Sequence, residues 1–284
     1  MKHIAPSIIL LFSFYLSSAQ EVFFDTNDSE ISFNTERFIV PKKYRTLGIN
    51  KIEIEKLLEE SNLESEVNVN ESNDLISFPL PNGENILFRF VQAPIMSPVL
   101  SAKYPKIKTY LGESIDHKMT IRFNYNPELG FHAMIMGQTD VIFIDPYSFH
   151  NNNYIISYYK KDYENVTKRE FHEEAPISSS DYEEYLEYKT ANPIIQNSSS
   201  GDQLKSYRIA IACTQQYSNF HGGTTEETLD AIVTTMNRIN QVYETELAIR
   251  LILVDNNDSL INLSVSEGMS NNNTNQLINQ SQEV

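Results

Sequence analysis

A single cysteine, no tryptophan and a shortage of basic residues mark this chain of 284 residues. With Cys213 alone, no disulfide framework can brace the fold. The thiol reads either as a small buried apolar group or as half of a pair whose other half lies beyond residue 284. Lys and Arg number 22 against 38 Asp and Glu, a formal balance of −16, which argues against nucleic acid and anionic membrane surfaces as partners because both demand clustered positive charge. Beyond residue 20 no apolar run approaches the ~20 residues of a bilayer-spanning helix. The 16 Tyr and 15 Phe nevertheless give ample aromatic material for one large or two ordinary domains. No internal repeat is visible.

Residues 1–20 have the form of an export signal. Lys2 supplies a positive start, residues 8–16 an apolar core too short to span a bilayer, and Ser17 and Ala19 the small residues that a signal peptidase reads, with cleavage after Ala19. The expected location is therefore outside the cell.

Short alternating runs separated by turn residues follow, which predict mostly antiparallel β structure. Residues 74–80 and 85–92 flank Pro81-Asn82-Gly83, an Asn-Gly hairpin signal. Residues 117–126, 131–136, 140–144 and 154–159 read as further strands. One helix, 51–60 with Asn50 as its cap, carries Ile52, Ile54, Leu57 and Leu58. The stretch 161–203 then turns acidic and polar, ending in Asn197-Ser198-Ser199-Ser200-Gly201-Asp202, as a solvated linker does.

From residue 204 the pattern changes to strand, helix, strand. Residues 207–213 are a short apolar run in which Ile209, Ile211 and Cys213 share a face, and 249–254 is almost continuously apolar. Between them Thr224 and Glu227 form a capping box, and Leu229, Ile232, Val233, Met236, Ile239, Val242 and Tyr243 recur at helical spacing. The two strands should run parallel, joined by a right-handed crossover.

At these residues the chain resembles the secreted bacterial reprolysin-like zinc metallopeptidases of the metzincin group. The resemblance rests on Ala212-Cys213-Thr214, on Phe220-His221-Gly222-Gly223-Thr224, on the helix core 233–240, and on the strand 249–254 with Asp255-Asn256-Asn257-Asp258. It implies that this unit opens a peptidase domain whose zinc site comes later. It extends upstream through Ala93-Pro94-Ile95-Met96, residues 104–110, residues 130–134, Ile144-Asp145-Pro146-Tyr147 and Tyr158-Tyr159-Lys160, and so implies an amino-terminal pro-region. The implied organisation is a signal peptide at 1–19, a β-rich pro-region at 20–160, an acidic linker at 161–203 and the truncated start of a catalytic domain at 204–284. Activation would cleave the linker, after Lys189 or just before Leu204. The fold class expected is α+β.

Zinc is the cofactor the resemblance implies, and protein or peptide substrates are the partners. The metal chemistry needs two histidines one helical turn apart with a glutamate between them, so that both imidazoles face one Zn²⁺ while the carboxylate activates the metal-bound water. The six histidines, His3, His117, His132, His150, His172 and His221, are never closer than fifteen positions. No catalytic, cofactor or metal ligand is therefore assigned, and this chain alone is expected to be inactive. A pro-region without cysteine also excludes a thiolate switch on zinc; His132 or His150 would be a substitute ligand, or merely structural.

Other candidates have simpler readings. His221-Gly222-Gly223 is a substrate-cleft segment or a backbone turn, Glu226 and Glu227 favour the helix dipole, and residues 255–258 are an oxygen cluster for Ca²⁺ or a turn. A helix start at 273–278 is expected to continue past Val284, and a lone strand-helix-strand unit needs more sheet to cover its edges. The alternative function is a non-catalytic exported β-rich protein of the same descent, acting as a binding or chaperone-like module.

Overall fold

The computed structural model describes residues 21–31, 37, 39–137, 140–149, 152–163 and 203–264. The signal at 1–19, nearly all of the linker, the helix start at 273–278, and His3, His150 and His172 lie outside the described residues. Within them is one large antiparallel sheet with a few helices, an α+β fold. No helix among the described residues is long and apolar enough to cross a membrane.

Nine strands form the sheet: β1 (Phe23–Asp25), β2 (Arg45–Ile49), β3 (Leu75–Pro79), β4 (Asn85–Gln92), β5 (Lys108–Ser114), β6 (Thr120–Asn126), β7 (Gly130–Met136), β8 (Val141–Pro146) and β9 (Tyr154–Tyr159). Their order is β1-β2-β9-β8-β7-β6-β5-β4-β3. The sheet curls until its two edge strands approach. The rings of Phe23 in β1 and Phe78 in β3 lie 5.8 Å apart, and Ser157 Oγ in β9 donates to the Pro79 carbonyl at 2.8 Å.

Inside, Phe78, Phe88, Phe90, Tyr110, Phe123 and Phe131 are fully buried, and Phe123 touches four of the others. Helix α1 (Lys51–Glu59) adds Ile54 and Leu58 to this core. Asn50 caps it by accepting from the Glu53 amide, while Ile52, expected on the packed face, is 77 % exposed on the opposite side.

The Asn-Gly hairpin forms between β3 and β4, with Gly83 in the left-handed region at φ +95°. Three strands were not foreseen, and two of them hide behind glycines that in sequence look like breakers. Gly48 in β2 lies against the Phe24 ring, and Gly112 in β5 against Ile121 and the Arg89 carbonyl, so each glycine marks a close approach inside a strand. His117 does not begin β6. It occupies the preceding turn at φ +57° with its ring on Glu113.

A second, smaller core is built on the later part of the chain. There β10 (Lys205–Ile209) and β11 (Ile249–Leu253) pair in parallel, connected through α3 (Gln215–Phe220) and the long helix α4 (Thr225–Leu247). Thr224 Oγ1 caps α4 by accepting from the Glu227 amide at 3.2 Å, and Gly222 at φ +108° and Gly223 at φ +83° make the turn before it. β10 stops at Ile209, short of the apolar run that suggested it. The chain rejoins at Cys213 in a single parallel bridge to Ile261. Cys213 is free and buried.

This core is not confined to residues after 204. Ile95, Met96, Leu100 and Ile107, from the β4–β5 connection with its helix α2 (Pro98–Lys103), pack with Leu229, Ile232, Val233, Met236 and Leu253. The outer edge of β11, expected to need strands not seen here, is met by this connection: the Leu253 amide donates to the Ile95 carbonyl at 2.8 Å, and the Ser97 amide to the Leu253 carbonyl at 3.0 Å.

Phe123→Ala should cost about 3–5 kcal/mol of stability, because its ring is the hub of the aromatic packing and the neighbours cannot collapse into its space. Urea unfolding followed by tyrosine fluorescence tests this; a loss under about 1 kcal/mol would show that the interior is not packed this way.

Candidate functional site at the junction of the two cores

Strand β6 alternates, as a strand with two different faces must. Ile121, Phe123 and Tyr125 enter the aromatic core, so Thr120, Arg122, Asn124 and Asn126 point outward. An outward face normally meets water, but this one meets α4. Thr120 Oγ1 accepts from Gln241 at 2.6 Å, Arg122 donates to Asn237 at 3.0 Å and to Glu244 at 2.6 Å, and Asn124 donates to Thr234 at 2.8 Å. Asn126 donates to Asp230. The helix thus uses positions 230, 234, 237, 241 and 244, three or four apart on one polar stripe, against every second residue of the strand.

Beyond the Asp230 end of this seam lies a cavity of about 260 Å³ between β7, β8 and the two helices. His132 of β7 and His221 at the end of α3 both line it, with Asp230, Glu227 and Arg238; Phe149 and Phe220 supply apolar wall. No spacing in the sequence brings His132 and His221 together, because the two stretches meet only when α4 docks on the sheet.

The electrostatics follow from burial. Asp145 of β8 is enclosed, which alone would raise its carboxyl, but the Arg238 guanidinium at 2.6 Å and His132 Nδ1 at 2.8 Å outweigh that and hold it down at about 2. Its other oxygen accepts from Tyr158, whose phenol is pushed up by burial and by that charge. Asp230 lacks such a counter-charge. Burial pushes its carboxyl up to about 6 despite the attraction of His132 and the bond from Asn126, and its Oδ1 has no protein partner. Arg238 Nε likewise has none. His221 is shifted down, first by burial and then by repulsion from His132, which favours its neutral form.

The remaining candidates fall elsewhere. Glu226 and Glu227 occupy the first turn of α4. Asn257 is buried, its side chain accepting from the Ile211 amide at 2.8 Å and donating back to the Ile211 carbonyl, while Asp258 takes Lys103 at 3.1 Å. The 255–258 cluster is thus a turn whose polar atoms hold the segment that follows β10 and the end of α2.

Two imidazoles and two carboxylates are donor types that zinc accepts. Among the described residues, however, no three His, Cys, Asp or Glu side chains gather closely enough to hold a metal ion, and His132 Nδ1 is committed to Asp145. Zinc does not fit this cavity, and no chemical step is assigned to it there.

The model of the Metallo-peptidase family M12B Reprolysin-like matches residues 203–283, a stretch that takes in the whole β10–α3–α4–β11 unit. No curated protein and no solved structure matches the chain. Residues 203–283 are therefore similar to a zinc-dependent family of metallopeptidases.

Asp230→Asn should stabilise the protein above pH 7. The folded carboxyl titrates at about 6 against 3.8 when free, so the folded state prefers it protonated. That preference favours folding below pH 3.8 and is lost as pH rises through 6. The amide keeps the bond from Asn126 without the charge, and a gain of roughly 2–3 kcal/mol at pH 8 that vanishes near pH 4 is expected in urea titrations. Equal effects at both pH values would show that Asp230 is not buried alone.

Proposed function

We propose that this chain is the precursor portion of a secreted zinc metalloendopeptidase of the reprolysin-like kind, acting on protein or peptide substrates. Residues 1–19 are its export signal, 20–160 its pro-region, 161–203 the stretch cut on activation, and 204–284 the opening of the peptidase domain.

The observation that carries this reading is that a parallel strand-helix-strand unit coincides with the stretch similar to the peptidase family. A second feature supports it. Parallel sheets are covered on both faces, yet Tyr207 of β10 is 52 % exposed and β10 has no strand on its other side among the described residues. That edge suits the addition of further sheet.

These 284 residues contain no His-Glu-x-x-His, so by themselves they bind no catalytic zinc and cleave nothing. Reading the coding DNA past codon 284 tests the lineage: an in-frame His-Glu-x-x-His is the expected finding, and an immediate stop codon would favour the non-catalytic binding or chaperone-like module instead. The purified chain, loaded with Zn²⁺ and offered casein, should show no turnover. Equimolar zinc uptake with proteolysis would overturn the assignment of inactivity.

A further inference from the structure

We infer that the β-rich part (residues 21–163) is a strand-donating clamp for the unit at 203–264, and that the two stay together as a non-covalent complex after the chain between them is cut. The inference rests on the reading of residues 20–160 as a pro-region.

Three independent kinds of contact join the two parts. The first is strand addition. Met96 stands opposite Leu253 in a parallel bridge, and the backbone bonds from Leu253 N to Ile95 O and from Ser97 N to Leu253 O make residues 95–97 a third strand on β11. Main-chain pairing of this type gives affinity whatever the side chains, and flanking side chains give specificity. Here the flanking side chains are Ile95, Leu100 and Ile107, each almost wholly buried against α4 and β11.

The second contact is an ion ladder that alternates between the parts. Glu64 takes Arg250 at 2.5 Å, Arg250 takes Glu244 at 2.5 Å, and Glu244 takes Arg122 at 2.6 Å. Glu64 and Arg122 belong to the β-rich part; Arg250 and Glu244 belong to the unit. Separation would strand Glu64 without its cation and expose the Arg122 guanidinium, which is fully enclosed, while Glu244 would keep only Arg250. Parting the two surfaces breaks the Glu64–Arg250 and Arg122–Glu244 pairs, which fix the register of the contact as well as holding it. The third contact is the polar seam from β6 to α4, in which every outward side chain of the strand has a named partner on the helix.

Cutting the connection removes a tether but none of these contacts. It follows that activation requires a second event beyond scission, one that peels residues 95–97 from β11.

The test uses the full chain with a site for a sequence-specific protease inserted at 190–200. After cutting, both fragments should elute together at the volume of the uncut protein; two separate peaks would overturn the clamp. The strand pairing is isolated by two variants. Ser97→Pro suits the backbone at φ −57° and deletes the amide donor together with the hydroxyl cap on Leu100, whereas Ser97→Ala deletes the cap alone. Exchange of labelled cut complex against an excess of unlabelled should be about tenfold faster for Ser97→Pro than for Ser97→Ala. Equal rates would overturn strand addition. Glu64→Gln, on the more exposed end of the ladder, should speed exchange several-fold with less dependence on salt, and no change would remove the ladder from the clamp. Separated fragments would leave the peptidase lineage standing, and a stop codon after position 284 would leave the clamp standing, so the two failures are distinguishable.

Discussion

The enclosed guanidinium of Arg122 is the constraint on which the arrangement of the two cores depends. A cation with no exposure must be paired, and here the pairing comes from α4, which lies across the outer face of β6. Once Glu244 is fixed there, the spacing of a helix turn against two strand residues sets the other partners in turn: Gln241 on Thr120, Thr234 on Asn124, Asp230 on Asn126. Apolar packing alone would tolerate sliding, because hydrocarbon contacts have no direction. Polar partners at each step leave a single register, and removing one member of the buried pair would cost about 3–5 kcal/mol.

Much of this was legible from residues and much was not, for identifiable reasons. Helix α4 was readable because a capping box and an apolar stripe agree, and its parallel strands followed from their apolar runs. The same stripe concealed half of the helix. Asp230, Thr234, Asn237 and Gln241 lie off that stripe and carry no periodic apolar signal, and only the tertiary structure shows that their face is buried against a second polar surface. The strands β2 and β5 were missed because Gly48 and Gly112 serve close approach rather than turning. The meeting of His132 and His221 was out of reach altogether, since their separation along the chain carries no trace of it.

The similarity to a metallopeptidase family and the cavity at the junction point to different regions of the molecule. The first concerns the β10–α4–β11 unit; the second sits between that unit and the nine-stranded sheet, with donor atoms that do not converge on a metal. Asp145 and Asp230 show how unlike two enclosed carboxylates can be. One lies beside Arg238 and His132 and is held down at about 2, while the other, on the same cavity, is pushed up to about 6 by burial. The cavity is thus an electrostatic consequence of docking the two parts, with charge balanced at one wall and left incomplete at the other.

Two asparagines do the work of a missing strand. Asn240 donates its side-chain nitrogen to the Leu251 carbonyl and accepts at its oxygen from the Leu251 amide, and Asn257 does the same for Ile211. Among side chains only a carboxamide offers donor and acceptor in the spacing of a peptide group. Slow hydrolysis of either to aspartate would replace that donor with an oxygen facing a carbonyl. The durability of this fold, whose Cys213 is free and buried, is thereby tied to the chemical ageing of two amides.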